Sequence, residues 1–411
     1  MKEQQITGRN AMQTEPASAY LQNKDSNSSN VVPRRSFLKG LGVVGATLLP
    51  GSALLQAQAV NSSTKLSQGD ADLLRFALWA ELVESDLWTQ YNELGGATAP
   101  NDGAPNVGNP PYKAALQNLD GDMPQYITDN NDDELSHAAF LNAYLLAHGA
   151  QSIDLNPFRK LPGSTATGVD PTKVGKRLTN LLSLNVDLGW YTRYRSGQNP
   201  DLGAIINGPF KILNQPAIPL NNTDTPPTIV VPSPSVPPGS PALRIQAIAN
   251  TAGFHFAFIE QGGSSLYPTL ALKASSEEVL RILLSIGGVE IDHFSLWHDK
   301  AGNAVSQPLA GVTDPETKLT FPDLNDPATL AQLHLQLELT QTNKIQPEPC
   351  AFIQAEGLPP CSIIRPTSTQ LGGAVATVNS FHADGLFNGQ DEDFLELSLA
   401  LATAADNVRR R

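Results

Sequence analysis

The chain is poor in cysteine and in charged residues, and this excludes several classes of protein. Two cysteines in 411 residues are too few for a Cys-rich zinc module or for an iron–sulfur cluster held by four thiolates. Only 16% of the residues are charged, and 27 Lys and Arg face 40 Asp and Glu, which gives a net charge of −13. Because nucleic-acid phosphates call for a basic surface, we expect no nucleic-acid partner.

Familiar catalytic motifs and long apolar runs are also missing after residue 59. This part contains no G-x-S-x-G nucleophile elbow, no Walker A loop, no H-E-x-x-H zinc motif and no EF-hand loop. It has no run of about 18 apolar residues either, so we expect no stable membrane span in it. A hydrolase, a nucleotide-binding protein and an integral membrane protein are therefore not indicated.

The beginning of the chain resembles an export signal. Arg34 and Arg35 are followed by Phe37-Leu38-Lys39 and by the uncharged segment 40–59, which closes with Ala57-Gln58-Ala59. A basic region, an apolar region and a small-x-small site indicate a signal peptide that is cleaved after Ala59. The adjacent arginines resemble a twin-arginine signal, and the resemblance implies export of a folded protein.

We therefore predict that residues 1–59 form a disordered N-terminus and signal peptide, that the twin-arginine machinery is a partner, and that the mature protein is periplasmic or extracellular. The alternative is a membrane anchor that is never cleaved, which the glycines and Pro50 disfavour. In an oxidising compartment Cys350 and Cys361 can form a disulfide. Two free buried thiols are the alternative.

Two pairs of helices are predicted from the spacing of apolar residues. In the first pair, apolar residues recur three and four apart over 66–95, and Asn131-Asp132-Asp133 supply the cap and first-turn acids of a helix over 132–148. In the second pair the pattern covers 241–272 and, after a short break, 277–298. Outside these pairs we predict a helix over 171–195, a strand at the alternating leucines of 333–339, and a helix over 390–408.

A proline-rich connection separates the two pairs. Eleven of the 32 prolines lie between Pro200 and Pro241, which excludes a regular helix or a central strand there. The segment is either a disordered linker or a crossover that wraps a core. Because one long crossover is a known topology of four-helix bundles, we predict an all-α bundle over 60–300, with an insertion over about 150–240. A C-terminal extension over 301–411 is expected to pack on it.

Each helix pair carries a glutamate on its leading helix and a Glu-x-x-His motif on its second helix. These six residues are Glu81, Glu134 and His137 in the first pair and Glu260, Glu290 and His293 in the second. Residues i and i+3 share one helix face, and both motifs lie among apolar residues that face a core. Buried carboxylates and imidazoles without partners are very costly, whereas two divalent cations would balance four carboxylates. The donor set suits iron or manganese.

This arrangement resembles the ferritin-like di-iron carboxylate superfamily, and within it the twin-arginine-exported ferritin-like proteins, some of them called desiccation-related. Residues 76–84 resemble the first-helix motif of that family and 255–267 its third. The resemblance covers roughly 66–150 and 241–300. It implies the following ligand roles: Glu134 and Glu290 bridge two metal ions, Glu81 and Glu260 are terminal ligands, and His137 and His293 bind one ion each.

The resemblance also implies two iron ions, with manganese as an alternative, and redox chemistry with Fe²⁺, O₂ or peroxide as partners. A non-catalytic, stress-related binding protein is the second hypothesis, and assembly into a homo-oligomer is left open. Glu84, one turn after Glu81, is the alternative first-helix ligand. Four further polar residues near the motifs are expected to lie outside the ligand set: His148, His255, His298 and Asp292.

Overall fold

The computed structural model describes residues 65–98, 106–186, 188, 210–227, 236–335, 349, 357–363 and 373–409. The predicted signal over 1–59 and Cys350 lie outside these residues. Cys361, the other half of the predicted disulfide, is exposed and has a free thiol. No helix in the described ranges combines the length and the apolar character needed to cross a membrane.

Eight α-helices and one two-stranded antiparallel sheet form the regular structure of the described residues. The helices are α1 Gln68–Gly95, α2 Pro110–Gln117, α3 Met123–Ala147, α4 Pro241–Ala271, α5 Glu277–Gly302, α6 Pro327–Gln332, α7 Ala374–Ala383 and α8 Glu392–Asn407. The strands β1 Leu184–Val186 and β2 Ile212–Gln215 pair with Leu184 opposite Gln215 and Val186 opposite Ile212. The all-α prediction is confirmed in its coarse form, because the protein is mostly helical.

The four long helices pack as two antiparallel pairs, α1 with α3 and α4 with α5. Ser67 caps α1 by accepting a hydrogen bond from the backbone N–H of Asp70 at 3.0 Å, and Ser276 caps α5 through that of Val279 at 3.1 Å. Such caps satisfy donors that a helix leaves unpaired at its start. The predicted helices over 66–95, 241–272 and 277–298 are confirmed.

The prediction for the start of the second helix was wrong. α3 begins at Met123, nine residues before Asp132, and Pro124 lies in its first turn, where a proline is favourable. Asn131 therefore lies inside the helix, and its Oδ1 accepts a hydrogen bond from the hydroxyl of Thr89 on α1 at 3.1 Å. A residue that looks like a cap in the sequence is a contact between two helices in the fold.

The helix predicted over 171–195 is also wrong in its described part. Residues 171–186 form turns and strand β1. Asp86 on α1 accepts hydrogen bonds from the backbone N–H groups of Leu178 and Thr179 at 3.0 and 2.9 Å, and Arg177 pairs with Glu93 on the same helix. These long-range contacts satisfy groups that would otherwise bond within a helix.

The described parts of the long connection wrap the helices. Leu181, Leu184, Ile212 and Ile218 are fully buried in the core that the helices share. The hydroxyl of Tyr112 on α2 donates to the carbonyl of Ala217 at 2.7 Å. In these parts the connection is a packed crossover and not a free linker.

The C-terminal part contributes two helices to the side of α1. α8 confirms the helix predicted over 390–408, and its Ser398 accepts a hydrogen bond from the indole N–H of Trp79 on α1 at 3.0 Å. The strand predicted over 333–339 is absent in its described residues 333–335. Leu333 is the C-cap residue that follows α6, and His334 has a φ of 55°. The rest of that stretch lies outside the described residues.

Candidate metal centre

Six buried side chains from the four long helices meet at one place. They form two overlapping groups in which each residue offers an atom within 4.8 Å of the others: Glu81, Glu134, His137 and Glu290, and Glu134, Glu260, Glu290 and His293. Glu134 and Glu290 belong to both groups. The structure thus brings together all six residues that the sequence singled out, with one histidine and one further glutamate on each side of the shared pair.

The helices place these side chains by their spacing. Glu134 and His137 are one turn apart on α3, as are Glu290 and His293 on α5, so each pair points the same way. The four glutamates are fully buried, and His137 and His293 are 8% and 9% exposed. The interior therefore holds four carboxylates at a point where several helices present apolar faces.

Both imidazoles turn the same nitrogen toward the carboxylates. His137 Nδ1 lies 3.3 Å from Oε2 of Glu81 and of Glu134. His293 Nδ1 lies 3.2 Å from Glu134 Oε1 and from Glu260 Oε2. Each Nδ1 atom thus lies next to one shared glutamate and one glutamate of its own group.

Unsatisfied oxygen atoms at the centre fit a pair of cations. Within the described residues, both carboxylate oxygens of Glu290 and Oε2 of Glu81 accept no hydrogen bond although they are buried. An unpaired buried carboxylate is strongly unfavourable. A Cβ atom at Gly263 on α4 would lie 2.2 Å from Glu290 Oε2. The glycine therefore leaves room for a carboxylate that has no protein donor.

The crowding of acids shifts their pKa values. Burial raises the pKa of Glu81 to about 7, against the opposing effect of His137. Burial by itself would lower the pKa of His137, but Glu81 and Glu134 outweigh it and raise that pKa to about 12. Burial also acts to raise the pKa of Glu134, yet the two histidines hold it well below its usual range. The cluster thus keeps protons that divalent cations can replace.

Hydrogen bonds from neighbouring residues fix the carboxylates. Asn130 Nδ2 donates to Glu134 Oε1 at 2.8 Å and to Glu260 Oε1 at 3.0 Å. The Asn130 side chain is fixed in turn by the indole N–H of Trp297, which donates to its Oδ1 at 2.6 Å. Sequence reasoning missed Asn130, although it lies four residues before Glu134 and so on the same helix face.

Glu81 is held by the hydroxyl of Tyr267, which donates to its Oε1. Tyr267 lies against Gly287 on α5, where a Cβ atom would be only 2.6 Å from the tyrosine Cβ. A close approach of α4 and α5 at this glycine therefore lets the phenol reach across to α1. Tyr267 lies seven residues after Glu260 and so on the same helix face, but this spacing does not indicate a contact with Glu81.

The two histidines differ in what their other nitrogen contacts. His293 Nε2 lies 3.3 Å from Oδ2 of Asp133, the residue before Glu134. The residue before Glu290 is Val289, so His137 has no corresponding carboxylate. Asp133 orients one imidazole, whereas the other lacks this support. The two ligand groups correspond residue by residue, but the residues that surround them differ.

Glu84 is buried beside the cluster but belongs to neither group. Burial, followed by the charges of Glu134 and Glu81, raises its pKa well above the usual value. Between the two candidates on the first helix, it is Glu81 that contributes an atom to the cluster. Glu84 is close enough to be affected by the same charges.

The polar residues expected outside the ligand set do lie outside both groups. Asp292 is exposed, and His148 Nδ1 bonds to the carbonyl of Tyr144 at 2.9 Å. His255 Nδ1 lies 2.7 Å from the hydroxyl of Tyr91, and burial lowers its pKa to about 3. His298 is buried against the ring of Phe294.

Comparison of the chain with models of known protein families, with curated proteins and with solved structures finds no match in any of the three. The function is therefore inferred from the residues of this chain and from their geometry.

Proposed function

We propose that this protein is a ferritin-like four-helix-bundle protein that holds two iron ions, with manganese as the alternative, and uses them to oxidise Fe²⁺ or to reduce O₂ or peroxide. The observation that supports it is the overlap of two buried four-residue groups in Glu134 and Glu290. Two shared carboxylates, with one glutamate and one imidazole on each side, are a donor set typical of carboxylate-bridged pairs of iron or manganese.

The charge of the cluster supports a pair of divalent ions. Four glutamates carry four negative charges, and two M²⁺ ions carry four positive ones. Within the described residues, no lysine or arginine pairs with any of the four glutamates. Cations would therefore offset the repulsion among these carboxylates and would coordinate the oxygens that accept no hydrogen bond.

Each residue around the centre has a role that its contacts define. Glu134 and Glu290 would span the two ions, and Nδ1 of His137 and His293 would bind one ion each. Asn130 and Tyr267 hold the carboxylates in place, and Asp133 holds the His293 ring. Bound redox-active metal ions supply the one-electron changes that Fe²⁺ oxidation and O₂ reduction require.

Metal analysis tests the proposal. The purified chain, loaded with Fe²⁺ or Mn²⁺ without oxygen, should retain about two ions, because each four-residue group provides a complete set of donors. Glu134→Gln and Glu290→Gln should each reduce this to one ion or none, because each residue serves both groups. Glu277→Gln, an exposed acid in the first turn of α5, is the matched control and should keep both ions.

The outcomes separate the two functional hypotheses. A chain that retains no transition metal after loading contradicts the proposal. A chain that binds two ions but consumes neither Fe²⁺, O₂ nor peroxide in a stopped-flow or oxygen-electrode assay is a non-catalytic binding protein, which is the second hypothesis.

Export through the twin-arginine route is part of the proposal. It is supported by Arg34 and Arg35 and by the uncharged segment that follows them. N-terminal sequencing of protein from the extracytoplasmic fraction should begin after Ala59. An Arg34→Lys, Arg35→Lys double variant should remain in the cytoplasm with its full-length N-terminus.

A further inference from the structure

A surface cavity lies beside the candidate metal centre, between α3 and α5. Its volume is about 610 Å³, and its lining includes His137 and Tyr144 from α3 and Arg281 and Ile286 from α5. This size is in the range of pockets that bind small organic molecules. Because His137 also belongs to the ligand cluster, a molecule in the cavity contacts a residue of the centre.

The His137 ring lines the cavity, and one of its two nitrogens has no partner among the described residues. Nδ1 of His137 faces the carboxylates at 3.3 Å, so Nε2 lies on the opposite edge of a ring that lines the cavity. No described residue bonds to this Nε2, whereas Asp133 lies 3.3 Å from the equivalent nitrogen of His293. Because no described carboxylate bonds to Nε2 of His137, the carboxylate of a bound molecule can take that place.

A second cationic group lines the same cavity. Arg281 is exposed on α5, and no described carboxylate lies within 4.0 Å of its guanidinium. Glu278, one turn earlier, lies against the hydroxyl of Tyr144. A guanidinium presents several donors that suit a carboxylate. Glu278 also lines the cavity, but its carboxylate lies against Tyr144, so the guanidinium of Arg281 is left for the carboxylate of a bound molecule.

The remaining wall is mostly apolar, although Ser136 and Ser285 also belong to it. Phe140 is 47% exposed, although it is a large aromatic residue, and Ile282 and Ile286 are mostly buried beside the cavity. Removal of such surface from water favours binding of a hydrocarbon chain. A ligand that satisfies both walls must carry a carboxylate at one end and an apolar tail at the other.

We propose that this cavity binds an amphipathic monocarboxylate. Its carboxylate lies between His137 Nε2–H and Arg281, and its tail covers Phe140, Ile282 and Ile286. The inference rests on the proposed function, since it names the class of organic molecule that the protein holds next to the metal pair. Because protein side chains alone line the cavity, binding to it can be measured separately from metal content.

Calorimetric titration of the full chain with decanoate tests the inference. Decanoate should bind with a stoichiometry of one, both before and after metal loading. Decan-1-ol has the tail without the carboxylate, and acetate has the carboxylate without the tail. Each should bind at least about tenfold more weakly, because each satisfies only one wall.

Two variants and a control locate the binding site. Arg281→Gln should weaken decanoate binding about tenfold, the effect of losing one charge-assisted contact, and Phe140→Ser should weaken it several-fold. Lys176→Gln removes one positive charge from an exposed residue elsewhere and should leave binding unchanged. Circular dichroism checks that the variants fold.

Two results would overturn the inference: no saturable binding of decanoate, or equal affinities of Arg281→Gln and the unchanged chain. Metal content measured on the same samples keeps the two proposals apart. If the chain binds two ions but no decanoate, only the proposed carboxylate site is contradicted. If the chain binds decanoate but retains no metal after loading, the cavity is a carboxylate site, and its proposed role beside a metal pair is contradicted.

Discussion

Gly262 and Gly263 are adjacent in α4 but have different surroundings. A Cβ atom added at Gly263 would lie 2.2 Å from Glu290 Oε2, whereas one added at Gly262 would meet nothing within 4 Å. Both are inside a helix, where alanine is more stable than glycine by about 1 kcal/mol. One glycine therefore serves the carboxylate cluster at the expense of helix stability, and the other provides a matched comparison.

We expect Gly263→Ala to lower the metal content of the loaded chain to one ion or none, because the methyl group displaces the shared carboxylate of Glu290. Gly262→Ala should keep the full metal content and raise the free energy of unfolding by about 0.5–1 kcal/mol. Metal analysis and urea denaturation measure the two effects. If both variants retain the same amount of metal, Glu290 is not a ligand in the position described.

At the scale of the elements, a carboxylate joins the two C-terminal helices. Asp406, near the end of α8, accepts hydrogen bonds from the backbone N–H groups of Gly373, Ala374 and Val375 at 2.8–3.1 Å. These groups are at the start of α7, where a helix leaves donors unpaired and favours a negative charge. Burial acts to raise the pKa of Asp406, but these three N–H groups and Lys273 lower it below the usual 3.8.

The sign of this shift predicts a pH dependence. Because the folded-state pKa is below 3.8, the ionised carboxylate stabilises the folded state above that pH, and the contribution is lost as the pH falls below about 4. Asp406→Asn should lower the free energy of unfolding by about 1 kcal/mol at pH 7, and the difference from the unchanged chain should shrink toward pH 3. Urea denaturation at a series of pH values measures it.

Glu396 on the same helix is exposed and provides the control, since Glu396→Gln removes one negative charge without removing a cap. Its effect should stay within about 0.5 kcal/mol at every pH. A constant difference between Asp406→Asn and the unchanged chain from pH 3 to pH 7 would show that the charge of Asp406 does not stabilise α7.

At the scale of the whole molecule, the described part of the long connection is attached to α1 by Asp86. This carboxylate is 4% exposed. Its Oδ2 accepts from the backbone N–H groups of Leu178 and Thr179 and from the hydroxyl of Thr179 at 2.7–3.0 Å, and Arg159 pairs with its other oxygen. One side chain therefore satisfies several groups from a segment about 90 residues away in sequence.

We expect Asp86→Ala to lower the free energy of unfolding by about 3 kcal/mol, because it leaves buried donors unpaired and removes the partner of Arg159. Asp72→Ala, also on α1, removes a partly exposed pair with Arg75 and should cost less than about 1 kcal/mol. Chemical denaturation compares the two. Equal losses would mean that the crossover is held mainly by apolar burial.

The parts of the fold that could be predicted are those that depend on the spacing of neighbouring residues in the sequence. The helices α1, α4 and α5 were predicted to within a few residues, because apolar periodicity and capping depend on neighbours in the chain. The start of α3 and the irregular course of 171–186 were predicted wrongly. For α3 the local signal at Pro124 competes with the cap-like residues Asn131-Asp132-Asp133. Residues 171–186 bond to Asp86 and Glu93 of α1, and such long-range contacts have no local signature.

The sequence by itself determined the six residues of the candidate centre and the helix faces that carry them, because i and i+3 always lie on one side of a helix. The family resemblance already implied that Glu134 and Glu290 are the shared carboxylates, and both belong to the two groups in the structure. Only the tertiary structure decided that Asn130 and Tyr267 hold the carboxylates, and that His137 borders a cavity while His293 meets Asp133. These features depend on how far apart the helices lie and how they are rotated, and packing between distant segments sets both.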